Sequence, residues 1–189
     1  MKTKKTLFLT IAISGSGKSW YIKNKLQEDF KDINEYLTSN NLDISELVVS
    51  PDLIRKELTG DISNQEKDAQ IWSSIVYSRI KEKLNTHNYC IFDATNLSKR
   101  KSFLKHFKNV KKIGLIFKPD LNLSIERINE DLKNNVDRSK VSDYIVKKQY
   151  NKFLSSVVYF KWDGVWNKVI KKKIKERLLK EENLEIIFV

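Results

Sequence analysis

The sequence predicts an α/β fold in which a parallel sheet of about five strands is flanked by helices, built as a single domain over residues 1–189. Three observations support this fold class. Short apolar runs alternate along the chain with segments of helical periodicity, as in parallel sheets that are covered by helices. The first run, residues 6–13, is apolar almost throughout, which is typical of a strand buried on both faces. No internal repeat and no linker rich in glycine or proline divides the chain.

The predicted strands are short apolar runs, and the predicted helices carry apolar side chains three and four residues apart. In chain order the strands are residues 6–13, 47–50, 89–92, 112–117 and 165–170. The helices are residues 18–30, a helix that begins after Ser50, and residues 65–85, 99–107, 121–133 and 142–159. Residues 171–189 are interpreted as a basic C-terminal extension, whose last residues (LEIIFV) could add a final strand.

Charge and composition limit the partners and the compartment. Lysine and arginine number 36 against 24 aspartate and glutamate, so the formal net charge is +12. This charge suits a polyanion such as nucleic acid, although a chain rich in Lys, Asn and Ile is also what AT-rich coding produces. Cys90 is the single cysteine, which excludes an internal disulfide and favours a cytoplasmic protein. No stretch approaches the length of a membrane span, and the apolar start of the chain lacks the cleavage site of a signal peptide, so no membrane partner is expected.

Residues 12–19 (AISGSGKS) lie between the first strand and the first helix, in the register of the phosphate-binding pattern G-x-x-x-x-G-K-[ST]. Ala12 replaces the first glycine of that pattern. The remaining glycines allow backbone N–H groups to point into one concavity around phosphate oxygens. Lys18 would reach the β- and γ-phosphates of ATP, and the Ser19 hydroxyl would bind Mg²⁺. The predicted ATP-binding residues of this loop are Ser14, Gly15, Ser16, Gly17, Lys18 and Ser19. The alternative is a flexible Gly/Ser turn with a chance Lys-Ser pair.

Two carboxylates follow the second and third predicted strands. Asp52 and Arg55 are three residues apart on the helix after Ser50, hence on one face, and Asp93 ends the third strand shortly before Asn96. Carboxyl ends of parallel strands form the edge where ligands bind, so an acid there can accept a proton or lie beside a metal. The alternatives are a helix-start aspartate with a surface ion pair, and a capping cluster at residues 93–96.

The segments AISGSGKS, VVSPDLIRKEL, IFDATNL and ERINEDLKNNVDRSKVSDYIVKKQYNKF together resemble the P-loop kinase family that includes 5′-polynucleotide kinases and the kinase module of bacterial RNA-repair kinase–phosphatases. The resemblance covers residues 6–153. It implies a P-loop NTPase fold with a short helical lid, here placed at about residues 127–141. No D-x-D-x-T phosphatase motif is present, so a kinase without a phosphatase is expected.

The resemblance also implies a role for individual residues. Asp52 would be the general base that activates a 5′-hydroxyl, and Arg55 would contact the phosphate next to that hydroxyl. Asp93 would lie beside both Mg²⁺ and the acceptor, and Asn96 would bind the acceptor. Arg138 would be the lid arginine that binds ATP and stabilises the transferring phosphoryl group.

The lid departs from the family pattern. Family lids usually carry more than one arginine, and Asn135 or Val136 stands where another is expected. Arg127 is the remaining candidate, although it lies on the preceding helix. Arg100 is only a weak match, because the family arginine after the third strand usually lies further along its helix.

The expected function is therefore ATP-dependent transfer of the γ-phosphate to the 5′-hydroxyl of DNA or RNA, with 5′ ends of nucleic acid as partners. One alternative is a related kinase whose acceptor is a nucleoside, a sugar, a nucleotide-sugar or an aminoacyl-tRNA. A further alternative is an ATP-binding switch without transferase activity. The sequence does not indicate an oligomeric state.

Several other residues attract attention but are expected to have packing roles. Trp162 and Trp166, with Tyr159 and Phe160 nearby, could stack on bases, although a core strand explains their spacing at least as well. His87 and His106 lack metal-ligand spacing.

Overall fold

Five parallel strands form one sheet in the computed structural model, which describes residues 5–134, 136, 138–158 and 166–189. The strands are β1 Thr6–Ile11, β2 Val48–Val49, β3 Tyr89–Phe92, β4 Lys111–Ile116 and β5 Glu185–Phe188. Their order across the sheet is β2-β3-β1-β4-β5, and each neighbouring pair is parallel. The predicted fold class, a parallel sheet of about five strands between helices, is confirmed.

Helices connect consecutive strands. They are α1 Lys18–Asn24, α2 Leu26–Asp29, α3 Lys31–Asn40, α4 Pro51–Thr59, α5 Asp68–Gln70, α6 Val76–Thr86, α7 Arg100–Leu104, α8 Leu121–Lys133, α9 Asp143–Phe153 and α10 Lys168–Glu182. The described residues also form a 3₁₀ turn at Ile44–Leu47 and π-helical turns at Ile71–Ile75 and Leu154–Val158. In the described parts of the chain, no helix has the length and hydrophobicity needed to cross a membrane.

Strand β1 lies in the middle of the sheet, and all six of its residues are buried. Its side chains alternate between the two faces because successive residues of a strand point in opposite directions. Phe8 packs with residues of α1, α2 and α3 on one face, whereas Leu7, Leu9 and Ile11 pack with residues of α4, α6, α9 and α10 on the other. The continuous apolar run therefore reflects a strand with a core on each side.

Backbone hydrogen bonds connect the segments at the carboxyl ends of β1, β2 and β3. Ala12 N donates to Thr95 O at 3.1 Å, and Asp93 N donates to Val49 O at 2.9 Å. The loops after β1, β2 and β3 consequently meet at one edge of the sheet, where ligands bind in open α/β folds.

The C-terminal segment corrects one predicted strand. Residues 165–170 were predicted to be a strand, but residues 168–170 begin α10, and Val165 lies outside the described residues. Asn167 caps this helix, because its side chain accepts a hydrogen bond from Ile170 N at 3.0 Å. The fifth strand is β5 instead, formed by the ending that could add a final strand. Residues 171–189 thus fold as most of α10 and all of β5.

Candidate active site

The loop after β1 has the backbone of a phosphate cradle. Gly15 has a φ of +79° and Gly17 a φ of +87°, a left-handed region that favours glycine. A Cβ at Gly15 would lie 2.3 Å from Ser124 O of α8, so a side chain at this position cannot be accommodated without moving backbone. Gly17 is the N-terminal cap of α1, whose helix dipole adds partial positive charge to the loop.

Two polar atoms near this loop are buried without a hydrogen-bond partner among the described residues. They are the hydroxyl of Ser16 and Nε of Arg138. Buried polar atoms are nearly always paired, so unpaired ones call for an explanation. Both belong to residues predicted to bind ATP, and both can bind phosphate oxygens without breaking an existing hydrogen bond.

Several of the predicted site residues contribute to the electrostatic environment of Lys18. Its Nζ donates to Ile13 O at 3.2 Å. Burial lowers the pKa of Lys18 below its ordinary value, and the positive charge of Arg138 lowers it further. The negative charges of Asp93 and Asp52 oppose this effect and raise the same pKa. The structure therefore brings Lys18, both candidate acids and the predicted lid arginine within electrostatic reach of one another.

Ser19 and Asp93 form the position predicted for Mg²⁺. Ser19 Oγ donates to Asp93 Oδ2 at 2.7 Å, which joins the start of α1 to the end of β3. A hydroxyl and a carboxylate are hard oxygen ligands of the kind that Mg²⁺ prefers. The described residues contain no group of three or more His, Cys, Asp or Glu able to hold a metal ion. Few protein ligands are expected at a Mg²⁺ site of this kind, because substrate phosphates and water supply the rest. The donor set therefore fits Mg²⁺ bound together with ATP.

Asp52 lies in the first turn of α4 and on the same face as Arg55, as the spacing of three residues predicted, and it forms with Arg55 the ion pair that was the alternative interpretation. Arg55 Nη1 donates to Asp52 Oδ1 at 2.7 Å. The side chain of Asp52 remains 49% exposed, so this pair orients its carboxylate while leaving part of it open to an acceptor.

Arg55 is more deeply buried than is expected of a residue that contacts an acceptor phosphate. The residue is 6% exposed, and besides Asp52 it donates to Asp68 Oδ1 at 2.8 Å and to Ile62 O at 3.0 Å. Burial acts to lower the pKa of Arg55, but the hydrogen bonds to Asp68 and Asp52 and their charges outweigh it and raise the pKa. The structure therefore places Arg55 in an internal network with two carboxylates, whereas the resemblance placed it against an acceptor phosphate.

Asn96 has a structural role in the described geometry. Its φ is +49°, and its Nδ2 donates to Thr10 O at 2.9 Å and to Ala94 O at 3.3 Å. The amide thus holds the ends of β1 and β3 together. Its predicted contact with the acceptor stays a prediction.

The lid prediction covers residues 127–141, of which 127–133 belong to α8 and 138–141 form an irregular segment. Arg138 Nη1 forms an ion pair with Asp131 Oδ2 of α8. Arg127 Nη1 lies 3.6 Å from where a Cβ of Gly17 would be, so its guanidinium is beside the phosphate loop. Arg127 is therefore a second candidate lid arginine. Asn135 lies outside the described residues.

The lid also contacts the segment after α4. Ser139 Oγ donates to Ile62 O at 3.3 Å, and Lys140 N donates to Ser63 Oγ at 3.0 Å. Ile62 O is the same carbonyl that Arg55 binds. The lid and the Asp52–Arg55 network are thereby connected through residues 62–63.

Sequence reasoning missed Gln149 of α9. Its Oε1 accepts a hydrogen bond from Ser14 N at 2.7 Å, so it holds one of the loop N–H groups that could bind phosphate. Gln149 lies within the segment ERINEDLKNNVDRSKVSDYIVKKQYNKF that carries the family resemblance, but nothing in that segment singles it out as a contact of the loop 135 residues away.

Arg100 and the residues expected to have packing roles are structural. Arg100 is 4% exposed and bonded to Glu182 of α10, so it has an internal structural role. Cys90 is fully buried, and burial raises the pKa of its thiol to about 12. His87, His106 and Trp166 contact Tyr36, Tyr77 and Phe188 respectively. Tyr159, Phe160 and Trp162 lie outside the described residues.

Comparison with known proteins identifies the type of domain. A protein-family model described as an AAA domain matches residues 7–155, well over half of the chain. Among solved structures, a gluconokinase from Sinorhizobium meliloti 1021 is similar, with 13% sequence identity and a TM-score of 0.48, and the alignment covers 100% of this chain and 85% of that one. No curated protein matches.

Proposed function

The chain belongs to this AAA-domain family as a domain of the P-loop kinase type, and from that premise we propose that it transfers the γ-phosphate of ATP to a hydroxyl group of an acceptor. The supporting observation is that several predicted site residues lie close enough to Lys18 to act on its charge. The charges of Asp52, Asp93 and Arg138, which come from the ends of two strands and from the lid, all act on its ammonium group.

Each of these residues has a chemical task in such a transfer. The N–H groups of residues 14–19 and the ammonium of Lys18 bind the phosphates of ATP. Arg138, with its unpaired Nε, and Arg127 beside Gly17 stabilise negative charge on the transferring group. Ser19 and Asp93 would hold Mg²⁺, which would supply positive charge to neutralise the phosphates of ATP.

Asp52 is the proposed general base. Its Oδ1 is fixed by Arg55 at 2.7 Å, and about half of its side chain is exposed. A carboxylate held in this way at the edge of the sheet can accept the proton of an acceptor hydroxyl as that hydroxyl attacks the phosphoryl group.

A small acceptor is the leading choice for the substrate. A polynucleotide kinase would use Arg55 to hold the phosphate next to the 5′-hydroxyl. Arg55 is 6% exposed and bonded to Asp52, Asp68 and Ile62 O, so little of its guanidinium is open to an acceptor phosphate. A nucleoside, a sugar or a nucleotide-sugar needs no such contact.

The second candidate is the 5′-hydroxyl of DNA or RNA, or an aminoacyl-tRNA. The observation in its favour is the net charge of +12, which attracts a polyanion. The two candidates share every ATP-binding residue and the base Asp52, so the same experiment distinguishes them.

The test is transfer of labelled γ-phosphate from ATP to a panel of acceptors. The panel holds nucleosides, sugars, nucleotide-sugars, tRNA and DNA and RNA oligonucleotides with a free 5′-hydroxyl. We expect at least one small acceptor to be labelled, and Asp52→Asn to slow transfer by about 10²–10⁴-fold because the general base is lost. Asp32→Asn is the matched control, since Asp32 is an exposed aspartate in the first turn of α3.

Binding of Mg-ATP, measured by calorimetry, should persist in Asp52→Asn. Labelling of oligonucleotides alone would favour the second candidate. Tight Mg-ATP binding by the wild type with no labelled acceptor in the panel would contradict the kinase proposal and support an ATP-dependent switch.

A further inference from the structure

A pocket of about 720 Å³ lies beside the phosphate loop, between the segment that follows Asp93 and the face of α9. Thr95 and Ser98 are on one wall, and Lys148, Gln149, Asn151 and Lys152 are on the other. The volume is within the range of small-molecule sites, roughly 300–1,000 Å³.

The inner end of the pocket borders the phosphate loop. Gln149 lines the pocket and accepts the hydrogen bond from Ser14 N at 2.7 Å. Thr95 lines it as well, and its carbonyl accepts from Ala12 N at 3.1 Å. Thr95 and Ser98 follow Asp93 along the chain, so the pocket is on the side of the loop where β3 ends. The inner end of the pocket therefore lies at the start of the phosphate loop.

The polar side chains of the walls indicate the class of ligand, whereas Leu97 and Ile145 supply apolar surface. Lys148 and Lys152 are one helical turn apart on α9, so their ammonium groups lie on the same face and repel each other. Both are exposed, and neither has a carboxylate within 4.0 Å in the part of the chain that the structure describes. An anionic group between them would remove the repulsion and form charge-assisted hydrogen bonds. Thr95, Ser98 and Asn151 offer neutral donors and acceptors suited to hydroxyl groups.

We propose that this pocket binds the acceptor of the phosphoryl transfer, and that Lys148 and Lys152 select an acceptor carrying a phosphate or carboxylate group. The ligand class is a small hydroxylated anion, such as a polyol phosphate or a sugar acid, with its anionic end on the lysines and a hydroxyl toward the phosphate loop. This inference rests on the proposed function and names the substrate class for it.

The experiment measures binding by calorimetry to protein saturated with Mg-ADP, so that the phosphate loop is filled and does not bind the probes itself. The probes are two pairs that differ only in an anionic group: glycerol phosphate with glycerol, and glucuronate with glucose. The variants are Lys148→Gln and Lys152→Gln, with Lys148→Arg to restore the charge. Lys147→Gln is the matched control, because Lys147 is an exposed neighbour on α9 that does not line the pocket.

We expect the anionic member of at least one pair to bind about tenfold or more tightly than its neutral parent, as one charge-assisted hydrogen bond implies. Each lysine-to-glutamine change should weaken that binding by about tenfold, and Lys148→Arg and Lys147→Gln should bind like the wild type. The affinity for Mg-ADP should be the same in all variants, which separates this pocket from the nucleotide site.

Equal binding of the charged and neutral probes, no binding of any probe, or an equal loss in Lys147→Gln would overturn the proposal. The measurement does not depend on phosphoryl transfer. Anion binding that needs both lysines, without labelling of any acceptor, would leave the pocket assigned and contradict only the kinase activity.

Discussion

At the level of single residues, Lys18 is held in the protein at an energetic cost. Burial lowers its pKa, which means that the charged form is less favourable in the folded chain than in water, and the charge of Arg138 adds to that effect. Asp93 and Asp52 offset part of this cost, but the net direction remains downward. Phosphate groups of ATP would supply the missing negative charge, so the cost is a feature of the nucleotide-free protein.

Replacing Lys18 with methionine should therefore stabilise the free protein and abolish ATP binding. We expect a gain of about 1 kcal/mol in the free energy of unfolding, or roughly 2–4 °C in Tm for a chain of this size. Thermal unfolding with and without Mg-ATP tests this: the wild type should gain stability from Mg-ATP and Lys18→Met should not. A variant less stable than the wild type would show that the hydrogen bond to Ile13 O outweighs the burial of charge.

The pH dependence of that gain follows from the direction of the pKa shift. Below the lowered pKa of Lys18 the group is charged in both states, and the variant has its full advantage. Between that pKa and the ordinary value of 10.5 the folded protein loses the proton while the unfolded chain keeps it, so the advantage shrinks as pH rises. Tm measured for both proteins at increasing alkaline pH should converge. An advantage that is constant or grows with pH would contradict the assignment.

The local geometry of the candidate site could be predicted from the sequence because short motifs fix both residue type and backbone conformation. The glycines before Lys18 and the three-residue spacing of Asp52 and Arg55 are local properties. The burial of Arg55 could not be predicted in this way. Its partner Asp68 lies 13 residues further along the chain, and the conformation of the intervening segment depends on the whole fold. The contact between Gln149 and Ser14 spans 135 residues and has no sequence signature.

At the level of secondary-structure elements, α7 and α10 are joined by a buried ion pair. Arg100 Nε donates to Glu182 Oε2 at 2.9 Å, and Arg100 Nη2 donates to Glu182 Oε1 at 3.0 Å. The side chains are 3% and 10% exposed. Arg100 also donates to Asn96 O and Ser156 O, which connects the loop after β3 to the π-helical turn after α9.

Removing one partner of this pair should destabilise the protein strongly. Glu182→Ala leaves the guanidinium of Arg100 buried without a counter-charge, which costs about 3–5 kcal/mol. Glu181→Ala is the matched control on the same helix, because Glu181 is 53% exposed and its ion pair with Arg177 is worth about 0–1 kcal/mol. Urea unfolding of both variants provides the comparison. Similar losses for the two would mean that the buried pair contributes no more than a surface one.

The helix α10 shows why one predicted strand was wrong. Valine and isoleucine at residues 165, 169 and 170 suggested a strand, since β-branched residues favour strands over short windows. The buried residues of this helix are Ile174 and Leu178, four apart, with Ile170 partly buried one turn earlier. A single apolar stripe surrounded by lysines is a weak helical signal, and tertiary packing on α7 and β5 decides the structure.

At the level of the whole molecule, the C-terminal segment completes the sheet. Strand β5 pairs with β4 from Ile113–Glu185 to Ile116–Phe188. Leu184 and Ile186 are 0% and 2% exposed. A Cβ at Gly114 would lie 2.8 Å from Ile186 Cδ1 and 3.0 Å from Leu184 Cδ2, so the fit between β4 and these side chains has no spare room. The lysine-rich segment of α10 is therefore part of a helix–strand unit that is needed for the core.

Deleting residues 184–189 should consequently unfold or aggregate the protein. Burial of Leu184 and Ile186 contributes about 1.5–3 kcal/mol each, and the loss of the β4–β5 hydrogen bonds adds to this. The sum is comparable to the whole free energy of unfolding of a typical domain, about 5–15 kcal/mol, and the deletion also exposes β4 as an edge strand. Soluble yield, size-exclusion chromatography and near-UV circular dichroism measure the outcome. Lys175→Gln with Lys180→Gln is the control, because it reduces the positive charge without removing a buried side chain. A soluble truncated chain with a native near-UV spectrum and unchanged Mg-ATP binding would show instead that residues 184–189 are dispensable.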